Sequence, residues 1–96
     1  MPTYEALETF WRDWDRLTKE QQASFRSAVD EFVADLQRGH LRAGLRVKSV
    51  QTHPGVFELT WAPNGRATLM FGTSPRGEDP HVTWRRVGTH DVLRNP

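Results

Sequence analysis

The chain of 96 residues contains no cysteine, one tyrosine and only two lysines. Without cysteine, disulfide scaffolds, thiolate zinc sites and cysteine nucleophiles are excluded. No apolar run approaches the roughly 20 residues that a membrane-spanning helix needs, and the first residues show neither the basic nor the apolar part of a secretory signal. We therefore expect residues 1–96 to form a single cytoplasmic domain with no membrane partner.

Charge is divided unevenly between the two halves. Residues 1–38 contain eight acidic and five basic residues, whereas residues 39–96 contain four acidic and eight basic residues. All four histidines lie in the second half, and arginine outnumbers lysine eleven to two over the whole chain. Because guanidinium groups bind phosphate oxygens in bidentate geometry, the second half is expected to face an anionic partner.

Apolar spacing in the first half predicts a helical hairpin. Over residues 19–38 the apolar side chains recur every three or four positions, which is the stripe of an amphipathic helix. Thr18 begins a capping-box pattern before this helix, and Gly39 is placed to end it. A shorter pattern predicts a first helix at about 5–16. Residues 2–6 fit either the start of that helix or a brief edge strand.

The second half changes to the alternating pattern of β-strands. Four strands are predicted, at about 45–50, 56–62, 66–72 and 81–87. The glycine- and proline-rich residues 72–80 are expected to form a loop. The predicted fold class is therefore α+β, with an N-terminal helical hairpin packed on a four-stranded, mainly antiparallel sheet.

The turn between the second and third predicted strands sets their register. In residues 63–65, proline and asparagine suit a type I turn, and glycine suits the left-handed position of a bulge, so a three-residue loop is predicted. That loop places Ala62 opposite Arg66 and Glu58 opposite Met70. At about 3.4 Å per residue, the α-carbons of Glu58 and Arg66 would then lie roughly 13 Å apart along the ribbon.

Alternation separates the sheet into an apolar face, expected under the helices, and a second face that we call the outer face. The outer face is expected to carry Arg46, Lys48, Glu58, Thr60, Arg66, Thr68, Met70 and Arg85. A polar sheet face can simply be solvated, but clustered cations oppose folding unless an anion offsets them. We therefore predict a phosphate site here. Arg86 points toward the core by strict alternation, although a bulge would exchange it with Arg85.

The order of elements resembles the RelE/ParE toxin superfamily of bacterial toxin–antitoxin systems. The resemblance spans nearly the whole chain and is strongest in residues 45–48, 55–61, 64–68 and 84–94. It includes an arginine just past the hairpin turn and a terminal Gly-x-His after the last strand. The RelE branch comprises ribosome-dependent mRNA endonucleases, whereas ParE members poison DNA gyrase, and antitoxins neutralise both.

The resemblance implies roles for three residues in metal-independent RNA cleavage by the substrate's own 2′-OH. Glu58 matches the general base, Arg66 the arginine that binds the scissile phosphate, and His90 the residue that assists the leaving 5′-oxygen. Such a reaction requires a base, an acid and cationic stabilisation. Charge stabilisation or a grip on the RNA backbone is expected from four further residues: Arg46, Lys48, Arg85 and Arg86.

The resemblance also implies the partners, namely a cognate antitoxin, mRNA and the ribosome. The histidines lack zinc-ligand spacing, so no metal and no cofactor are expected. Many nuclease members carry a tyrosine near the C-terminus, where this chain has Val92 and Leu93. Three functions stay open from the sequence: an mRNA-cleaving toxin, a ParE-like gyrase poison, and a non-catalytic domain of the same fold.

Overall fold

The computed structural model describes residues 3–73 and 80–96. The elements are β1 (Thr3–Ala6), α1 (Glu8–Arg16), α2 (Lys19–Arg38), β2 (Lys48–Ser49), β3 (Val56–Ala62), β4 (Gly65–Thr73) and β5 (Pro80–Thr89). Short 3-10 helices occupy Ala43–Leu45 and His90–Arg94. Residues 74–79 of the predicted loop lie outside the described residues. The flanks of that loop prediction were wrong, because Gly72 and Thr73 belong to β4 and Pro80 belongs to β5.

The sheet has five strands in the order β1-β5-β4-β3-β2, so the prediction of four strands was wrong. Residues Thr3–Ala6 form a strand that pairs parallel with β5, while the other neighbours are antiparallel. The backbone N–H of Leu7 continues this pairing by donating to the Trp84 carbonyl at 2.9 Å. This strand depends on a partner far along the chain, which local spacing does not reveal.

The helical hairpin is confirmed, and α2 has the ends that the sequence indicates. The Thr18 hydroxyl accepts from the Gln21 N–H at 3.1 Å, and the Gln21 side chain accepts from the Thr18 N–H at 2.8 Å. Gly39 ends α2 in the left-handed conformation, at φ 76°. Because β1 takes up the first residues, α1 begins at Glu8 rather than near residue 5.

Both helices pack on one face of the sheet and enclose an aromatic core. Phe32, Leu59 and Leu69 are fully buried, with no more than a trace of exposed surface. The Trp84 ring from β5 lies 5.3 Å from the Phe25 ring of α2, centroid to centroid, in an edge-to-face arrangement. Burial of each such side chain contributes roughly 1.5–3 kcal/mol. The prediction that the apolar face of the sheet packs against the helices is therefore confirmed.

The hairpin between β3 and β4 is tighter than predicted. Ala62 pairs with Gly65, which leaves a two-residue turn, and the register shift falls at Trp61. Gly65 does not adopt a positive φ. It is needed for a different reason, because a Cβ there would lie 2.6 Å from the Trp61 ring. The predicted register was therefore displaced by two residues, a shift that keeps every side chain on its expected face.

Helix α1 covers the edge of β5 beyond the end of β1. The Thr9 hydroxyl donates to the Arg85 carbonyl at 3.0 Å, and the Asp13 carboxylate accepts from the Val87 N–H at 3.2 Å. Unpaired strand edges invite pairing with other chains. Side chains of one helical turn therefore complete the hydrogen bonding of this edge.

Candidate functional site

A row of four side-chain positions crosses the outer face. Lys48 pairs with Glu58, Glu58 pairs with Thr68, and Thr68 pairs with Arg86. Directly opposed residues on antiparallel strands project from the same face. Four strands thus contribute one residue each to a line that we call the cross-sheet row. It contains a cation at each end and a carboxylate between them.

Arg66 lies beside this row. It pairs with Thr60 on one side and with Gly88 on the other, two residues along β4 from Thr68. Arg66 is therefore the diagonal neighbour of Glu58, and such neighbours lie about 7–8 Å apart. The expectation of roughly 13 Å was wrong, because the shorter turn brings the two residues together.

The Arg66 guanidinium folds back onto the hairpin turn. Its Nη1 donates to the carbonyls of Gly65 at 2.9 Å and of Ala62 and Pro63 at 3.3 Å each. Within residues 3–73 and 80–96, its Nε and Nη2 atoms have no hydrogen-bond partner. Three backbone carbonyls therefore hold one edge of the guanidinium and leave the other edge for an anion.

Glu58 is the most buried of the residues that the sequence predicts to act in catalysis or phosphate binding. Its side chain is 11% exposed, and its Oε1 lies 3.7 Å from Lys48 Nζ. The Lys48 side chain is 62% exposed, so the cation reaches in from solvent. Among the described residues no other cation approaches this carboxylate within ion-pair distance. Glu58 is thus a nearly buried carboxylate with a single, loosely placed partner.

Arg85 and Arg86 both project from the outer face because β5 carries a bulge. Thr68 pairs with Arg86 and Leu69 with Trp84, which leaves Arg85 as the extra residue. Arg85 Nη1 lies 3.4 Å from the sulfur of Met70 on the same face. The bulge is therefore present and brings Arg86 to the outer face, but it does not exchange the two residues, because Arg85 lies on this side as well.

The chain's own C-terminal residues bind both of these arginines. Arg85 Nε donates to the Pro96 main-chain oxygen at 3.0 Å, and Arg86 Nη1 donates to the Asn95 carbonyl at 3.1 Å. Arg86 also makes a two-point ion pair with Asp13 of α1, at 2.6 Å from Nε and 3.1 Å from Nη2. This hydrogen bonding raises the pKa of Arg86. The two cations hold the C-terminal segment in place.

His90 and Arg46 lie away from the cross-sheet row. His90 is exposed and opens the last 3-10 helix, directly after Thr89, which pairs with Gly65. It is therefore at the turn end of the sheet, on the far side of Arg66 from Glu58. Arg46 is not on a strand: it has φ 50° and follows the first 3-10 helix. The predicted strand at 45–50 is only two residues long, because the left-handed residue at 46 interrupts it.

Two features of the outer face could not be foreseen from the sequence, namely the burial of Thr68 and the position of the C-terminal segment. Thr68 is completely buried, and among the described residues its Oγ1 has no hydrogen-bond partner. Val92 of the last 3-10 helix is also buried and packs close to Gly88, where a Cβ would lie 2.9 Å from the Val92 methyl. The C-terminal segment therefore covers part of the outer face. Only the alternation of β4 pointed to Thr68, and no local pattern indicates the segment's position.

No helix among the described residues is long and apolar enough to cross a membrane. Comparison with models of protein families gave no match, and comparison with curated proteins gave none either. Similarity appears among solved structures, where sequence identity is low and coverage is nearly complete.

Three of these structures belong to bacterial or archaeal toxins. The RelB–RelE antitoxin–toxin complex of Methanococcus jannaschii has a TM-score of 0.62 and 12% identity, covering 94% of both chains. The DinJ–YafQ complex of Escherichia coli has a TM-score of 0.63 and 15% identity, covering 97% of this chain and 98% of the other. A copper-bound mutant toxin from Helicobacter pylori has a TM-score of 0.61 and 16% identity, covering 97% and 99%.

These similarities cover 94–97% of this chain. They agree with the resemblance seen in the sequence. At identities of 12–16% they establish the fold, but they do not assign roles to individual residues. The chain has the fold of the RelE-like toxins.

Proposed function

We propose that this chain is the toxin of a type II toxin–antitoxin system and that it cleaves mRNA at the outer face. Support comes from the fold shared with the RelE and YafQ toxins. It also comes from the backbone register, which makes Glu58 and Arg66 diagonal neighbours and is the observation that carries the proposal. The Arg66 guanidinium, which rests on the turn carbonyls, is proposed to turn toward Glu58 when the phosphate binds. A base and a phosphate-binding cation at diagonal positions can act on one nucleotide.

The proposed reaction needs only groups of this chain and of the RNA. Glu58 accepts the proton of the 2′-OH while the 2′-oxygen forms a bond to phosphorus and the bond from phosphorus to the 5′-oxygen breaks. His90 donates a proton to the leaving 5′-oxygen, and Arg66 and Lys48 stabilise the negative charge on the phosphorane. The products are a 2′,3′-cyclic phosphate and a free 5′-OH. Arg66 lies along the outer face between Glu58 and the turn end where His90 begins the last 3-10 helix, and this order supports the assignment of roles.

The remaining arginines are proposed to contact the RNA backbone around this centre. Arg46 is exposed next to β2, and Arg85 and Arg86 reach the outer face from the bulge of β5. Backbone contacts of this type set position and register rather than chemistry. We propose that the substrate is mRNA bound to the ribosome, as for the RelE branch that the sequence resembles.

A cognate antitoxin is the proposed protein partner. RelE and YafQ were each solved in complex with one, RelB and DinJ respectively. The cationic outer face predicts an acidic antitoxin segment, which would neutralise the charge that the proposed substrate uses. Co-expression with the neighbouring open reading frame is expected to restore growth.

The test is inducible expression in bacteria, followed by primer-extension mapping of mRNA ends. Growth arrest with new mRNA ends is expected for the wild type, and Arg66→Ala is expected to lose both. Arg12→Ala is a matched control, since Arg12 is an exposed arginine of α1 with a 3.0 Å contact to Glu8. Arrest with a DNA-damage response and intact mRNA would instead identify a gyrase poison. Unimpaired growth would identify a non-catalytic domain.

A further inference from the structure

The hydroxyl of Thr68 is an unexplained polar group in the middle of the cross-sheet row. Its side chain is completely buried, and its Oγ1 has no hydrogen-bond partner within residues 3–73 and 80–96. A buried hydroxyl without a partner loses its hydration without compensation. Valine has the same shape and would fill this position without that cost. The presence of threonine therefore requires an explanation other than packing.

The groups beside Thr68 indicate where its proton can go. On β5 the opposite residue is Arg86, whose side chain donates hydrogen bonds and offers no acceptor. Arg86 is moreover already bound to Asp13 and to the Asn95 carbonyl. On β3 the opposite residue is Glu58. Its carboxylate is the acceptor in the row, and directly opposed residues have Cβ atoms about 4.5–5.5 Å apart.

We infer that Thr68 is a positioning residue that acts through Glu58. When the substrate displaces Lys48 from its 3.7 Å contact, the Thr68 hydroxyl donates to one carboxylate oxygen of Glu58. The other oxygen is then aimed at the 2′-OH of the RNA. This inference rests on the proposed function, because it requires Glu58 to be the general base. An unsatisfied group held ready at a reacting centre is one way in which sequences depart from optimal stability.

The experiment measures cleavage of a reporter mRNA by the purified protein in a cell-free translation mixture. Thr68→Val is expected to lower kcat about 10- to 100-fold, which is the loss of one hydrogen bond to a charged group, with KM unchanged. Thr68→Ser, which keeps the hydroxyl, is expected to restore kcat to within a few-fold of the wild type. The thermal midpoint of Thr68→Val should equal or exceed that of the wild type, because valine removes an unpaired polar group.

The control is Thr83→Val, which removes a hydroxyl from the same face of the sheet. Thr83 Oγ1 already donates to Glu5 at 3.1 Å, and neither residue belongs to the proposed site. This variant is expected to cleave like the wild type.

Glu58→Gln separates the two proposals. If Glu58→Gln abolishes cleavage while Thr68→Val leaves kcat unchanged, the role of Thr68 is overturned and the proposed function stands. If Thr68→Val lowers kcat and the thermal midpoint together and serine restores neither, Thr68 is structural and the inference is overturned. If Glu58→Gln cleaves like the wild type, the proposed base is wrong, and the inference fails with it.

Discussion

Asp13 and Arg86 join the first helix to the last strand in a partly buried ion pair. The Asp13 carboxylate binds the guanidinium through both oxygens and also accepts the backbone N–H of Val87. On its other side Arg86 binds the Asn95 carbonyl. One carboxylate of the helical layer therefore helps to hold both the edge of β5 and the segment that crosses the outer face.

Asp13→Ala should lower the free energy of unfolding by about 2 kcal/mol, because the partly buried Arg86 loses the charged hydrogen-bond partner that compensates it. Asp15→Ala is the control, since Asp15 is an exposed carboxylate of the same helix, and it should change stability by less than about 0.5 kcal/mol. Urea unfolding followed by tryptophan fluorescence measures both. Equal midpoints for the two variants would contradict the role assigned to this pair.

Asp35 predicts how stability depends on pH. This fully buried carboxylate accepts from the Arg42 side chain at 2.8 and 3.0 Å and from the Arg42 backbone N–H at 2.9 Å, and it also pairs with Arg38. The side-chain hydrogen bond from Arg42 is the main cause that holds the pKa of Asp35 well below its ordinary range.

A folded-state pKa below the unfolded value stabilises the protein at higher pH. This contribution is complete above about pH 4, the ordinary range of aspartate, and declines as the pH falls toward the folded-state pKa. Asp35→Asn is therefore expected to be less stable than the wild type at pH 7 and to lose less stability between pH 4 and pH 2. The control Asp30→Asn, at an exposed carboxylate of α2, should follow the wild-type curve. Parallel wild-type and Asp35→Asn curves would refute the assignment.

Gly65 is constrained by the Trp61 ring rather than by backbone conformation. A Cβ at Gly65 would lie 2.6 Å from the ring, so Gly65→Ala must displace the indole or the turn. We expect a loss of about 1–3 kcal/mol, as for overpacked cores. Gly44→Ala is the matched control, because a Cβ at position 44 would have no contact within 4 Å beyond its own chain neighbours. Thermal denaturation that shows no difference between the two variants would reject this close packing.

Arg66→Lys tests the geometry of the proposed phosphate contact rather than its charge. Lysine keeps the positive charge, but its single ammonium group cannot donate to the three turn carbonyls and at the same time present a second pair of donors to the phosphate. Cleavage in the cell-free translation mixture should fall about 10- to 100-fold, the range for a lost charge-assisted hydrogen bond. A rate equal to that of the wild type would mean that only net charge matters at this position.

The helical half could be predicted because its signals are local. The stripe of α2, the cap at Thr18 and the stop at Gly39 all act within a few residues of one another. The strand at Thr3–Ala6 could not be assigned, because what makes it a strand is the edge of β5, some 78 residues away. The short β2 was overestimated since alternation continues through Arg46, while the backbone there turns left-handed.

The faces of the sheet were easier to predict than its register. Alternation has a period of two, so the shift caused by the bulge at Trp61 left Glu58 and Arg66 on the outer face while changing how close they lie. The bulge depends on the fit of one indole over Gly65, which is a matter of packing in three dimensions. The partners of Arg85 and Arg86 could not be predicted either, because they lie on other elements of the fold.

The pairing of β1 with β5 also bears on when the sheet can assemble during synthesis. Residues 3–6 leave the ribosomal tunnel long before residues 81–84, which are their only sheet partners among the described residues. Contacts between such distant segments form late, because the intervening chain must first be ordered. Arg86 joins the cross-sheet row at the same late stage. A nascent chain therefore carries no assembled outer face, and under the proposed function it would be inactive for nearly the whole time of its synthesis.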